Sequence, residues 1–100
     1  MSAYVLSAEA LQDLQDIWDF IAADNAVAAD KLENEFFEAF GLLAQRPRMG
    51  HTRSDLTARE VLFWPVGSYL IVYRKAPAAL EIIGILHGAR DVPEVIRKRQ

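Results

Sequence analysis

Positively charged and aromatic side chains collect in the second half of this 100-residue chain, and their types suit an anionic partner. Guanidinium groups make paired hydrogen bonds with carboxylates and phosphates, and Tyr and His rings add stacking or further hydrogen bonds. Near the ends of strand-like runs lie Arg53, Arg59, Tyr69, Tyr73, Arg74, His87 and Arg90. As a group they predict a surface that binds nucleic acid, another anion or an acidic peptide. Taken singly, each arginine also fits a surface salt bridge and each tyrosine a half-buried strand position.

Charge is divided unevenly along the chain. Residues 1–45 contain nine acidic residues and one basic residue, a balance of −8, whereas residues 46–100 contain ten basic and five acidic residues, a balance of +5. The two sum to the net charge of −3. A basic second half favours a positively charged face for an anionic partner. The alternative is that the two halves neutralise one another across the fold.

Patterns for the common catalytic and cofactor sites are missing from the sequence. The two histidines, His51 and His87, are far apart and no HxxxH spacing occurs, so no metal site is predicted. The glycines form neither GxxxxGK nor GxGxxG, and there is no GxSxG elbow. We therefore expect no cofactor. With no cysteine, no signal sequence and no apolar run of about 20 residues, the chain is predicted to be cytoplasmic and to lack a membrane segment.

The first half has helical periodicity after a short predicted strand at residues 3–7. Ser7 is a suitable N-cap for a helix of four to five turns whose apolar residues recur at helical spacing. A second helix is predicted from Val27 to Gln45 and ends there because Pro47 disfavours helical geometry in the residue before it. Since the connection is short, the helices should form an antiparallel hairpin.

The second half has the patterns of strands. Three strands are predicted over residues 59–66, 69–75 and 80–87, joined by a two-residue turn at Gly67-Ser68 and by a four-residue loop. Pro65 cannot donate to a ladder, so the first of these strands should lie at an edge or be bulged. The tail from residue 91 is predicted to be one helical turn or a frayed end.

These elements predict an α+β fold in the order β-α-α-β-β-β, as a single domain over residues 1–100. The helical hairpin packs on one face of a small antiparallel sheet, and the other face is partly open to water or to a partner.

Two further groups are interpreted as structural. Asp13, Asp16 and Asp19 have a spacing that would suit a carboxylate pair for acid–base chemistry, but we interpret them as a solvated helix face. Trp18 and Trp64 are interpreted as core or edge packing.

Four stretches of the sequence together resemble ParE-type toxins of bacterial type II toxin–antitoxin modules, within the RelE/ParE superfamily. They are YVLSAEALQDLQDIWDFIA, LLAQRPRMGHTRSDL, YLIVYR and LHGARD. The second stretch is similar to the junction after the second helix of that family, with matching residues Pro47, Gly50, Arg53, Asp55 and Leu56. In the last stretch, Arg90 and Asp91 resemble a family signature at the end of the sheet.

The resemblance implies a helical hairpin on a small antiparallel sheet, in agreement with the pattern above. It also implies a ParD-like antitoxin partner, which binds DNA with one part and wraps the toxin with another, so that this chain contacts DNA only indirectly. For the ParE branch the implied target is DNA gyrase, which the toxin inhibits by binding without turning over a substrate.

The RelE branch of the superfamily implies an alternative, an enzyme that cuts mRNA on the ribosome. Its chemistry would require a group that activates the ribose 2′-OH and cations that stabilise the phosphate. The candidates are His87, Arg53, Arg74 and Arg90. Against this reading, no Tyr or His follows residue 87, and the second helix has Lys31 as its only cation beside four acidic residues, a balance that ribosomal RNA would repel. A third reading is an inactive relative that only binds its antitoxin.

Overall fold

The computed structural model describes residues 3–57, 59–88 and 92–99, which form a mixed α and β structure. The elements are β1 (Tyr4–Leu6), α1 (Ala8–Ala22), α2 (Ala26–Gln45), β2 (Leu62–Val66), β3 (Tyr69–Lys75), β4 (Leu80–His87) and α3 (Val92–Arg99), with a 3₁₀ turn at Pro47–Met49. The predicted α+β class and the order β-α-α-β-β-β are confirmed. The tail is an eight-residue helix, so the prediction of a single turn or a frayed end is wrong.

Side-chain caps define the starts of both helices of the hairpin. The Ser7 hydroxyl accepts a hydrogen bond from the Ala10 N–H at 3.0 Å, as predicted, and the Asn25 side-chain oxygen accepts one from Ala28 N–H at 3.0 Å. Each bond satisfies a backbone donor that the first helical turn leaves without a partner. The caps therefore fix where α1 leaves the sheet and where the chain turns back.

The sheet has the strand order β1-β4-β3-β2. Strands β2, β3 and β4 form the predicted antiparallel meander, whereas β1 pairs with β4 in parallel, with Tyr4 opposite Leu80. The helical hairpin and strands β2 and β3 separate β1 from β4 along the chain, so no short turn requires these two strands to be antiparallel. Strand β2 lies at an edge, as Pro65 predicted, but it begins at Leu62 rather than at residue 59.

A β-bulge in β4 sets which side chains face the helices. Val72 pairs with Gly84 and Tyr73 pairs with Ile82, so Ile83 is an extra residue with no partner in β3. One extra residue reverses the alternation of side chains along a strand. As a result Ile82 and Ile85, three positions apart, both pack in the core beneath the helices, and Ile83 packs on the opposite face.

Both faces of the sheet are covered. The larger core lies between the sheet and the hairpin, where Phe36, Phe40 and Leu43 of α2 are almost completely buried. A second core lies on the opposite face, where Ile96 of α3 packs with the cluster that contains Val61, Phe63, Val72 and Ile83. The predicted partly open face therefore carries its own core, because the tail folds as a helix with an apolar residue turned toward the sheet.

Candidate partner-binding surface

The predicted binding residues do not form one cluster in the described part of the chain. Tyr69 and His87 are paired at one end of the sheet, Arg74 is near the other end of β3, Arg53 and Arg59 are in the segment between α2 and β2, and Tyr73 is in the core. Arg90 lies outside the described residues, as does Asp91. The structure thus divides the predicted site into separate places.

Tyr69 and His87 form an aromatic pair at the end of the sheet. They are opposite each other in the β3–β4 ladder, and their ring centroids are 5.0 Å apart. Phe36 of α2 meets the Tyr69 ring edge-on with a centroid distance of 5.7 Å. The buried Phe36 therefore supports Tyr69, which in turn packs against the exposed His87 ring.

Arg74 lies near the far end of β3 in an ion pair. Its Nε donates to Oε1 of Glu81, the residue opposite it in β4, at 2.6 Å. A shallow surface pocket of about 290 Å³ lies beside it, lined by Thr52, Glu60, Val61, Leu62, Arg74 and Lys75. The pocket combines an apolar wall with Arg74, Lys75 and Glu60, and Arg74 already pairs with Glu81.

Arg53 and Asp55 form a bidentate ion pair in the segment before β2. Arg53 Nε donates to Asp55 Oδ1 at 3.0 Å, and Nη2 donates to Oδ2 at 2.8 Å. This hydrogen bonding raises the pKa of Arg53 and lowers that of Asp55. Arg59 is also exposed in this segment, where its backbone N–H donates to the Thr57 hydroxyl at 3.1 Å.

Tyr73 is a core residue, which corrects its prediction as part of a binding surface. Its side chain is fully buried, and its hydroxyl donates to the Pro47 carbonyl at 2.8 Å and accepts from Gly50 N–H at 2.9 Å. Burial raises the pKa of this phenol. On β3 every second side chain faces the helices, so Tyr73 points inward together with Ile71.

Comparison with known proteins supplies the family. The sequence model described as "ParE toxin of type II toxin-antitoxin system, parDE" matches residues 4–92. The chain belongs to this family of ParE toxins. Among solved structures, a chain from the chromosomal ParDE toxin–antitoxin system of P. aeruginosa has a TM-score of 0.73 at 19% identity, covering 88% of this chain and 97% of that one. That likeness concerns the fold. No curated protein sequence matches this ParE-family chain significantly.

The junction residues that resemble the ParE family have structural partners here. Pro47 and Gly50 supply the backbone groups that hold the Tyr73 hydroxyl, and a Cβ on Gly50 would collide with that hydroxyl. Leu56 packs against the second core. The junction therefore fastens the chain between α2 and β2 to the sheet and holds the Arg53–Asp55 pair at the surface.

The sequence reasoning missed a largely buried ion pair in this ParE toxin. Arg99 of α3 donates to Asp13 of α1 through Nη1 at 2.7 Å and through Nη2 at 3.1 Å, with side-chain exposures of 19% and 15%. Hydrogen bonding to Asp13 raises the pKa of Arg99. The prediction of a solvated face is wrong for Asp13, although it holds for Asp16 and Asp19, which are exposed. One feature of the sequence indicated that Asp13 is partly buried: it lies between Ala10 and Leu14, at the margin of the apolar stripe of α1.

The two tryptophans differ in their surroundings. Trp64 packs against the larger core from the edge strand, as predicted, and the His51 ring stacks on it with a centroid distance of 6.3 Å. Trp18 is half-buried, and its indole N–H donates to Asp30 Oδ1 at 2.9 Å. The Trp18–Asp30 bond joins α1 to α2.

Five large apolar side chains are exposed on the hairpin, and Leu11 and Phe37 are two of them. Leu11 of α1 is 57% exposed and Phe37 of α2 is 41% exposed. Leu11 lies seven residues before Trp18 in α1, and Phe37 lies seven residues after Asp30 in α2. Seven residues make about two helical turns, and the two helices are antiparallel. Leu11 and Phe37 should therefore lie at the same height along the hairpin. This placement is suited to the apolar face of an amphipathic partner helix.

Neither a metal site nor a membrane span is found in the part of the chain that the structure describes. Its His, Asp and Glu residues form no group of three or more that could hold a metal ion. None of its helices is long and apolar enough to cross a membrane.

Proposed function

We propose that this ParE-family toxin inhibits DNA gyrase by binding to it, and that a ParD-like antitoxin neutralises it. Its contact with DNA would then be indirect, through the antitoxin, and its place of action would be the cytoplasm. Family membership supports the toxin role, and the arrangement of the charged residues supports binding rather than catalysis.

The separation of His87 from Arg74 is the observation that carries this choice. His87 is opposite Tyr69, and Arg74 is five residues further along β3, a distance of about 17 Å for an extended strand. Arg74 is also on the strand positions that face away from the hairpin, whereas Tyr69 faces it. A general base at His87 and a phosphate-stabilising cation at Arg74 would both have to reach one reacting group, which this geometry does not favour for that pair.

The charge of α2 also argues against a ribosomal target. Its exposed side includes a shallow surface lined by Asp30, Glu35 and Glu38, with Lys31 as the one cation that lines it. Such a surface repels the phosphates of RNA. The predicted RelE-like endonuclease is therefore the less supported alternative.

A supercoiling assay tests the proposal. Purified toxin should inhibit the supercoiling of relaxed plasmid by DNA gyrase, and equimolar antitoxin should restore it. Expression without antitoxin should cause growth arrest with filamentation and DNA-damage signalling. The matched control is a parallel assay of mRNA cleavage on translating ribosomes, in which we expect no activity.

Each other outcome would identify a different function. Cleavage of mRNA with unchanged supercoiling would contradict the proposal and favour the endonuclease. Antitoxin binding without an effect in either assay would indicate an inactive toxin relative.

A further inference from the structure

A small pocket opens at the end of the sheet where β3 turns back into β4. The last turn of α2 and the residue before β1 close it from the other sides, and its volume is about 190 Å³. The described residues that line it are Ala3, Ala44, Pro47, Lys75, residues 76–79 and Leu80. Apart from Lys75, these are alanine, proline and leucine residues, so the pocket has an aliphatic wall and one cation.

Hydrogen bonds hold three sides of this pocket. Leu80 N–H donates to the Ala3 carbonyl at 3.1 Å, and Ala76 N–H donates to the Ala79 carbonyl at 3.1 Å, which closes the loop between β3 and β4. The Pro47 carbonyl accepts the bond from the Tyr73 hydroxyl described above. The pocket is therefore formed before a partner binds, which lowers the ordering entropy that binding costs.

Three cations surround the pocket without neutralisation. Lys75 is exposed in its wall, and the exposed Arg46 and Arg48 lie on either side of Pro47 in the chain. Unlike Arg53, none of the three has an ion pair in the described part of the chain. No carboxylate is among the described residues that line the pocket. The positive charge here is therefore available to a partner.

An acidic polypeptide segment fits this arrangement. One of its apolar side chains can fill the aliphatic pocket while neighbouring carboxylates pair with the cations. A nucleic acid matches less well, because the described lining contains no aromatic ring on which a base could stack. The surface of α2 lined by Asp30, Glu35 and Glu38 would repel the same segment, which favours binding at the pocket.

We propose that Arg46, Arg48, Lys75 and this pocket, together the basic end of the sheet, bind an acidic segment of DNA gyrase that places an apolar side chain in the pocket. The exposed Leu11 and Phe37, which suit an amphipathic helix, are then left to the antitoxin. Target and antitoxin thus contact different residues. The inference rests on the proposed function, from which it takes gyrase as the partner.

A pair of charge reversals tests the role of the cations. Lys75→Glu and Lys31→Glu change the net charge by the same amount, but Lys31 is 14 residues before the end of α2, about 21 Å along the helix. In a supercoiling assay with gyrase holoenzyme and relaxed plasmid, the half-inhibitory toxin concentration should rise at least tenfold for Lys75→Glu and less than twofold for Lys31→Glu. Equal effects of the two variants would overturn the inference.

A second pair of variants tests the pocket without changing charge. The side chain of Ala78→Trp should occupy the pocket that it lines, and we expect the half-inhibitory concentration to rise at least fivefold. Ala23→Trp is the matched control, since Ala23 is an exposed residue between the two helices of the hairpin. Thermal melts and calorimetric titration with the antitoxin should give the same values for both variants and for the unchanged toxin. Undiminished inhibition by Ala78→Trp would contradict an apolar anchor and overturn the inference.

Failure of this inference can be distinguished from failure of the proposed function. If the unchanged toxin inhibits gyrase and Lys75→Glu inhibits equally well, only the basic end is overturned as the gyrase contact. The same holds if Lys75→Glu loses affinity for the antitoxin, or for a plain DNA duplex, while gyrase inhibition is retained. If the unchanged toxin does not inhibit gyrase, both proposals are overturned.

Discussion

At the scale of single residues, Tyr73 shows how one hydroxyl can hold a loop. The group lies between the Pro47 carbonyl and Gly50 N–H, so it satisfies one acceptor and one donor of a segment that has left α2 but has not yet joined the sheet. Part-buried backbone groups of this kind are costly when they have no partner. Phenylalanine at this position would lack the hydroxyl that bonds to the loop.

We predict that Tyr73→Phe lowers the free energy of unfolding by about 1–3 kcal/mol, because Gly50 N–H loses its acceptor and the Pro47 carbonyl its donor. Urea denaturation measures this change. Tyr69→Phe is the control, since it retains both ring contacts of Tyr69, and it should change stability by less than about 0.5 kcal/mol. Equal effects of the two variants would contradict the role of the Tyr73 hydroxyl.

The same residue predicts a pH dependence. Burial raises the pKa of Tyr73 above the unfolded value of about 10, so the native state holds its proton more tightly than the unfolded state does. This contribution to stability is fully present below about pH 10 and is lost as the pH rises from there through the folded pKa. The loss should be smaller in Tyr73→Phe.

At the scale of elements, periodicity and turn residues predicted most of the fold. Strands β3 and β4 have the predicted bounds, and the turn at Gly67-Ser68 forms with Gly67 at a φ of +58°, a value that favours glycine. The bulge at Ile83 was not predictable from alternation, because the run Ile82–Leu86 is apolar on both faces. Only the presence of two cores explains why both faces are apolar.

The candidate site was less predictable because it depends on contacts distant in sequence. Asp13 and Arg99 are 86 residues apart, and each by itself resembles an ordinary surface charge. Tyr73 likewise resembled Tyr69 in the sequence, and only the contacts of its hydroxyl with Pro47 and Gly50 identify it as a core residue. Residue types indicated a set of candidates, whereas burial and pairing determined which of them remained at the surface.

Gly84 leaves room on β4 for the ion pair between Arg99 of α3 and Asp13 of α1. A Cβ at Gly84 would lie 2.5 Å from Arg99 Nη1 and 3.2 Å from Asp13 Oδ2. We expect Gly84→Ala to lower the free energy of unfolding by about 1–3 kcal/mol by displacing the Arg99 side chain. In an Arg99→Ala background the cost should be smaller by at least about 0.5 kcal/mol, a coupling that a double-mutant cycle measures.

Gly41→Ala is the control for this cycle. No heavy atom lies within 4 Å of a Cβ built there, so the substitution should stabilise α2 by up to about 1 kcal/mol in either background. Additive effects of Gly84→Ala and Arg99→Ala would mean that Gly84 does not make room for the ion pair.

At the scale of the whole molecule, the uneven charge of the sequence is partly neutralised within the fold. The Asp13–Arg99 pair joins the acidic first half to the basic second half, whereas Arg53–Asp55 and Arg74–Glu81 pair within the second half. Of these pairs, only the Asp13–Arg99 pair lowers the second half's balance of +5, by one charge, because the other two pairs are already cancelled within that balance. What remains is distributed over separate places, as suits a protein that contacts partners over an extended surface.

The separation of His87 from Arg74 predicts the effect of replacing both residues together. We expect His87→Ala and Arg74→Ala each to weaken gyrase inhibition more than they lower the melting temperature, since both residues are exposed. Because the two residues are about 17 Å apart along the sheet, their effects on the inhibition constant should add to within about 0.5 kcal/mol in the double variant. If both residues belonged to one catalytic site, either single substitution would cost nearly as much as the pair. Inhibition titrations of the four proteins, with thermal melts in parallel, distinguish these cases, and strong non-additivity would contradict a dispersed binding surface.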